Sequence, residues 1–190
     1  ASRRATARRA SSRPAPGAPP DEGATLHVDD AGLVILWPMF SHFFSQLQLT
    51  NKGAFVDAEA ANRAVLLLRH LVTGESEAPE PLLSLDKLLC GVPWGTPVPR
   101  RIALSHEELE LSTQLLTVVT QRWAPLANTS IAGLREAFLQ REGRLVAHDD
   151  GWQLTVATRA YDMLLDRLPW NLSPVRLPWM PALLHVRWRP

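Results

Sequence analysis

The chain has 190 residues, 46% of them hydrophobic, enough for one core of ordinary size plus an appended tail. Its formal charge of +1 hides an asymmetry: residues 1–20 hold five arginines (Arg3, Arg4, Arg8, Arg9, Arg13) and no acid, leaving 15 bases against 19 acids elsewhere, a body near −4. That sign argues against a nucleic-acid-binding body, whose positive charge belongs on the folded surface, and a single cysteine excludes an internal disulfide or a cysteine-built zinc site.

Residues 1–24 are low in complexity, rich in Ala, Arg, Ser and Pro, and lack any large apolar side chain. Such a segment cannot offset the entropy of ordering, so it reads as a flexible linker or arm, with a single folded domain expected over 25–190. Its arginines are not followed by the apolar stretch of a secretory signal. The most hydrophobic run, 33–44, is interrupted by Pro38, Ser41 and His42 and falls short of the roughly 20 apolar residues of a membrane-spanning helix. Basic residues are almost all Arg, with much Ala and Pro, the composition of a GC-rich bacterial genome.

Along the folded part, Leu33–Trp37 is a continuous apolar run compatible with a strand or a buried helix. Pro38 then suits a helical first turn, and Phe40, Phe43, Phe44 and Leu47 follow as a helical stripe. Asp57 can cap a helix from about Ala58 to Val72, with Gly74 placed as its C-terminal glycine. Pro81 opens a shorter helix through Leu82, Leu85, Leu88 and Leu89. Residues 91–101, with three prolines and two glycines, must be irregular.

Ser105 and Glu108 form a capping-box pair for a helix to about Arg122, with Leu109, Ser112, Leu115, Leu116 and Val119 as its inner face. Thr129 or Ser130 caps the next helix, which Gly143 ends. The period then switches to two: Leu145 and Val146, the turn Asp149-Asp150-Gly151, then Trp152, Leu154 and Val156, a hairpin pattern. A short helix over 161–168 follows, and Leu183, Leu184, Val186 and Trp188 read as a last strand joining the hairpin. The expected fold is mainly α, a helical domain with a small antiparallel β-hairpin or sheet near the C-terminus, in the α+β class.

Chemistry is sparse. The six histidines (His27, His42, His70, His106, His148, His185) are scattered, with none of the spacing of a metalloprotease helix. Adjacent acids at Asp29-Asp30, Glu107-Glu108 and Asp149-Asp150 fit helix starts and a hairpin tip better than acid/base pairs, which must face each other across a substrate. Cys90, in an apolar setting, reads as a buried structural thiol. No catalytic residue, cofactor or metal ligand is singled out, and an enzyme is not expected. The helix at 131–141 followed by a hairpin has the order of a winged-helix DNA-binding module, but the helix has no net charge and the hairpin tip is doubly acidic. Two Leu-Pro-Trp units, ending at Trp170 and Trp179, are the most unusual feature. Those tryptophans either seal the core or, with Met180 and Trp188, form an assembly interface, where Trp is over-represented.

The ordered series Gly32-Leu-Val-Ile-Leu-Trp-Pro38, Phe55-Val-Asp57, Ala64-Val-Leu-Leu-Leu68, Lys87-Leu-Leu-Cys-Gly-Val-Pro93, Asn128-Thr-Ser130, Leu134-Arg-Glu-Ala-Phe-Leu-Gln-Arg-Glu-Gly143, Asp150-Gly-Trp152, Tyr161-Asp-Met-Leu-Leu-Asp-Arg-Leu-Pro-Trp170 and Leu177-Pro-Trp-Met180 resembles the C-terminal region of tape-measure proteins of bacterial contractile injection systems. The likeness spans about 31–188; the Arg-rich arm stands outside these motifs. It implies a structural protein of a phage tail-like particle that helps to set tube length and occupies the inner tube. Its partners would be the baseplate hub or spike and tube proteins. A homo-oligomer of three or six copies on the tube axis would be natural, assembled in the bacterial cytoplasm, with no nucleic-acid or membrane partner.

Overall fold

The structure is a computed structural model that describes residues 23–188; most of the arm expected over 1–24 lies outside the described residues. Buried apolar side chains from Val28 to Trp188 form one core cluster.

The run left open between strand and helix is helical. Ala31–Leu36 is a 3-10 helix with all six residues buried, leading directly into α1 (Trp37–Gln46). Such complete burial requires cover on every side, and a glycine makes part of it possible. A Cβ on Gly32 would overlap the Phe138 carbonyl, so only glycine lets that backbone come so close. After α1 comes a two-stranded hairpin that the sequence did not announce, β2 (Thr50–Asn51) and β3 (Ala54–Phe55). Its turn residues Lys52 and Gly53 both have positive φ, 50° and 82°, as tight hairpins prefer.

α2 (Ala58–Thr73) begins and ends as expected: the Asp57 carboxylate accepts from the Ala60 amide at 2.7 Å, and Gly74 closes it at φ 82°. The helix expected from Pro81 divides into a 3-10 turn, Glu80–Leu82, and α3 (Ser84–Leu89). α4 (His106–Arg122) carries the capping box of Ser105 and Glu108. Glu108 also takes a forked bond from Arg63 at 2.5 and 2.7 Å, so one carboxylate caps α4 and ties it to α2. Leu109, expected on the inner face of α4, is instead 42% exposed.

The helix expected to end at Gly143 forms over 131–139 but changes type part-way. Ser130 caps a single α turn, α5 (Ile131–Leu134), and a π turn follows over Arg135–Leu139, closed by the Gln140 amide on the Arg135 carbonyl. Arg135 explains the distortion. Its guanidinium donates to the carbonyls of Leu71 and His70, and Gln140 donates to that of Val72, so this turn caps the C-terminus of α2. Gly143 starts a strand, where Ala31 Cβ would lie 2.7 Å from any added Cβ.

The expected hairpin forms from β4 (Gly143–His148) and β5 (Gly151–Val156), antiparallel, with Asp149 and Asp150 at its tip. The sheet around it is larger and differently connected than expected. β1 (Thr25–Val28) pairs antiparallel with β4, and β6 (Leu183–Arg187) pairs parallel with β5, giving a mixed sheet in the order β1-β4-β5-β6. The parallel edge follows from the connection: residues 157–182 pass through a 3-10 helix, Ala160–Arg167, and an irregular strap before β6 begins, so the strand re-enters from the other end. The α+β class holds.

Asp30 and Asp86 are fully buried, at the entry to the first 3-10 helix and on α3, near enough that the charge of one bears on the other, and none of their four carboxyl oxygens has a hydrogen-bond partner among the described residues. Arg69 faces them from α2, but it grips Asp29 at 2.7 and 2.9 Å and stands 3.5 Å from Asp30. Burial pushes Asp30 up to about 6 despite Asp86 and Arg69, and burial with the neighbouring Asp30 charge pushes Asp86 well above the carboxylate range. Burial likewise pushes up the Cys90 thiol.

The folded chain therefore keeps protons that the unfolded chain releases above about pH 4. Asp30's contribution is full below that pH and lost as pH rises through about 6, while that of Asp86, raised further, is lost at higher pH. Asp29, Glu108 and Asp162, held below their ordinary range, act in the opposite direction, so a variant comparison isolates the pair. Asp86→Asn, whose amide can donate to Asp30 at any pH, is expected to raise the melting temperature at pH 8 by roughly 2–4 °C per kcal/mol relieved, with the gain shrinking towards pH 4. Thermal melts of both proteins at the two pH values check this; a variant melting below the parent at pH 8 would overturn it.

Candidate assembly surface

Residues 168–182 run as a strap across the helices, and tryptophans fasten it. The Trp170 indole donates to the Ile35 carbonyl at 2.9 Å, while Trp37 on α1 donates back to the Asn171 carbonyl at 2.9 Å. Val175 and Leu184 exchange two backbone bonds, at 2.8 and 3.0 Å. Further along, the Trp179 indole donates to the Leu89 carbonyl at the end of α3 at 2.8 Å, its ring against Phe44 and Phe55 at centroid distances of 5.7 and 5.0 Å. Gly91 leaves room for this: a Cβ there would collide with the Trp179 carbonyl.

A second fastening lies behind the strap. Arg141, fully buried, forms a forked pair with Asp162 at 2.8 and 2.9 Å and donates to the Ala157 and Ala137 carbonyls. The Trp188 indole donates to Asp162 at 3.1 Å, and the guanidinium carbon lies over the Trp188 ring at 5.2 Å and over the Tyr161 ring at 5.8 Å from the centroids. Burial alone would raise the Asp162 carboxyl, but Arg141, the Arg159 amide and Trp188 together hold it below its ordinary value.

The four residues singled out as an interface thus fall into two groups. Met180 and Trp188 are buried, at 6% and 8% exposure. Trp170 and Trp179 are half-buried, with their N–H groups turned inward and part of each ring at the surface. Around them the exposed residues of the strap include Pro169, Pro174, Pro178 and Pro181, whose fixed φ angles keep this surface stiff. Trp179 and Pro178 line a recess of about 240 Å³ shared with Ser41, Ser45 and the Lys52 hairpin. Met163, 63% exposed on the 3-10 helix, is an apolar surface residue that sequence reasoning passed over.

Elsewhere the polar groups serve structure. Lys87 is buried and donates to Glu80 and to the Trp94 and Thr96 carbonyls, gathering the irregular 91–101 segment. His70 is buried with Nδ1 on the Glu75 carbonyl, and the other five histidines are exposed. Among the described residues no three His, Cys, Asp or Glu side chains are grouped to hold a metal ion, and no helix is long and apolar enough to cross a membrane. The helix of the winged-helix order has no free cation to offer a phosphate at these positions, since Arg135 and Arg141 are both spent internally.

A family model described as contractile injection system tape measure protein matches residues 2–188. The chain belongs to this family. Neither a search of curated proteins nor one of solved structures gives a match. The family match begins at residue 2, so it takes in the Arg-rich arm that stood outside the quoted motifs. Those motifs map onto the fastenings of this tape-measure chain: Gly32 beneath the Phe138 carbonyl, Asp57 capping α2, Lys87 holding its loop, Gly91 beneath the Trp179 carbonyl, Arg141 on Asp162. Removing one partner of the buried pair strands the other charge. Asp162→Ala is therefore expected to cost about 3–5 kcal/mol, measured by urea unfolding; a cost under about 1 kcal/mol, the range of a surface pair, would contradict this account.

Proposed function

We propose that this component of a contractile injection system serves as a tape measure whose folded part anchors near the baseplate hub or spike, inside the inner tube, through the strap surface around Trp170 and Trp179. The family match over residues 2–188 carries the reading. Further support comes from the proline-stiffened strap, which offers partly exposed aromatic rings without the entropic cost of ordering a loop. Met180 and Trp188 belong to this proposal as supports beneath the surface. Three or six copies would sit about the tube axis. Assembly would take place in the bacterial cytoplasm.

The test is co-purification of the tagged full chain with particles from its native cell. Recovery of hub, spike or tube proteins in fixed ratio is the expected result, and a chain that binds none of them while particles are intact would refute the anchoring role. Trp179→Ala should lower that recovery about tenfold while keeping a cooperative melt; if the melt is lost instead, Trp179 acts as core. Lys52→Glu, at the rim of the same recess and exposed, probes the surface without touching the core.

The arm adds a separable element. Its five arginines would lie along an acidic tube lumen, an attraction that salt weakens. Replacing all five with serine should reduce incorporation or alter tube length, measured by electron microscopy of particles; unchanged incorporation and length would rule the role out.

A further inference from the structure

α1 and α4 leave an open groove of about 420 Å³ between them, with Phe43 and Leu115 buried in its floor and Val118 exposed at its edge. At 100° per residue, Glu107, Leu111, Gln114, Leu115, Val118 and Arg122 share one face of α4 about 100° wide. Leu111, Leu115, Val118 and Arg122 follow one another at steps of four, three and four, the spacing of a helix-pairing seam.

This face is also self-complementary. About the midpoint between Gln114 and Leu115, Glu107 mirrors Arg122 and Leu111 mirrors Val118. Glu107 and Arg122 are exposed and form no ion pair among the described residues, whereas Glu108, next along the helix, is committed to Arg63. We propose that a second copy of this chain docks here, the two α4 helices antiparallel across a dyad, Glu107 of each copy against Arg122 of the other and the apolar pair packed between.

The charges select both partner and direction. An antiparallel crossing places two opposite-charge pairs at the ends of the seam, and a parallel one would set Glu107 against Glu107 and Arg122 against Arg122. The Arg-rich arm is a poor occupant of the same groove, since it has no large apolar side chain to fill it. An interface built on one helix from each side is at the small end for stable complexes, so free chains should associate weakly, in roughly the micromolar range. A dyad fits six copies arranged as three pairs and not a lone ring of three.

Sedimentation equilibrium of the full chain over roughly a hundredfold range of concentration tests this. A reversible monomer–dimer equilibrium is expected, weakened about tenfold or more by Glu107→Arg or Arg122→Glu alone and restored to within a few-fold by the two together, with every variant keeping the parent's melt. A monomer throughout the range overturns the proposal. So does a dimer indifferent to the single exchanges, or one that the double exchange fails to restore.

Discussion

An arginine cannot shed its charge in a protein interior, so burying Arg141 imposes demands on everything around it. The guanidinium lies just past the π turn and must find acceptors on several sides. Asp162 supplies the compensating charge from the 3-10 helix, and Ala157, just past β5, and Ala137, in the π turn, supply carbonyls. Asp162 has oxygens to spare, and they take the Arg159 amide and the Trp188 indole. One buried charge thereby joins the helical half to the end of the hairpin and to the residue that follows β6. Together with the indole bonds of the strap and the pairing of β6 it fixes the path of the segments after β5, which contain no long helix.

The tryptophans extend the same logic to neutral groups. Five indoles, on Trp37, Trp123, Trp170, Trp179 and Trp188, each donate to a backbone carbonyl or to Asp162. A strap without regular secondary structure leaves carbonyls and amides to satisfy, and an indole offers a large apolar body with one well-aimed donor. Here the choice between core sealing and surface contact has a mixed answer at single residues. Trp170 and Trp179 are bonded inward through nitrogen while part of each ring stays at the surface.

Local rules made much of the helical part legible. Asp57 and Gly74 bounded α2, and Ser105 with Glu108 opened α4, because caps are chemistry between near neighbours. The Asp-Asp-Gly turn likewise announced the β4–β5 hairpin. What stayed hidden depended on contacts distant in sequence. Arg135 and Arg141 read as ordinary helix charges, yet one caps a helix more than sixty residues earlier and the other is buried on Asp162. Thr25–Val28 is too short to read as a strand until β4 is there to pair with it, and the parallel approach of β6 depends on a crossover with no pattern of its own. The strap surface was visible as Leu-Pro-Trp units, but which rings would be covered was not, because neighbouring residues such as Trp179 and Met180 differ in burial only through the shape of the path.

With the buried arginine and the indole donors committed inward, the surfaces left for assembly are of another kind, and α1 stands between them. Ser41 and Ser45 line the recess beside Trp179, while Met39, His42 and Gln46 line the groove shared with α4. On a helix these two sets of side chains point about 100° apart. A partner on the strap and a second copy on α4 would therefore use different faces of α1, and neither need displace the other. Both would bear on the aromatic residues Phe43 and Phe44, adjacent on α1 with ring centroids 5.5 Å apart. Phe43 floors the groove and Phe44 packs on Trp179.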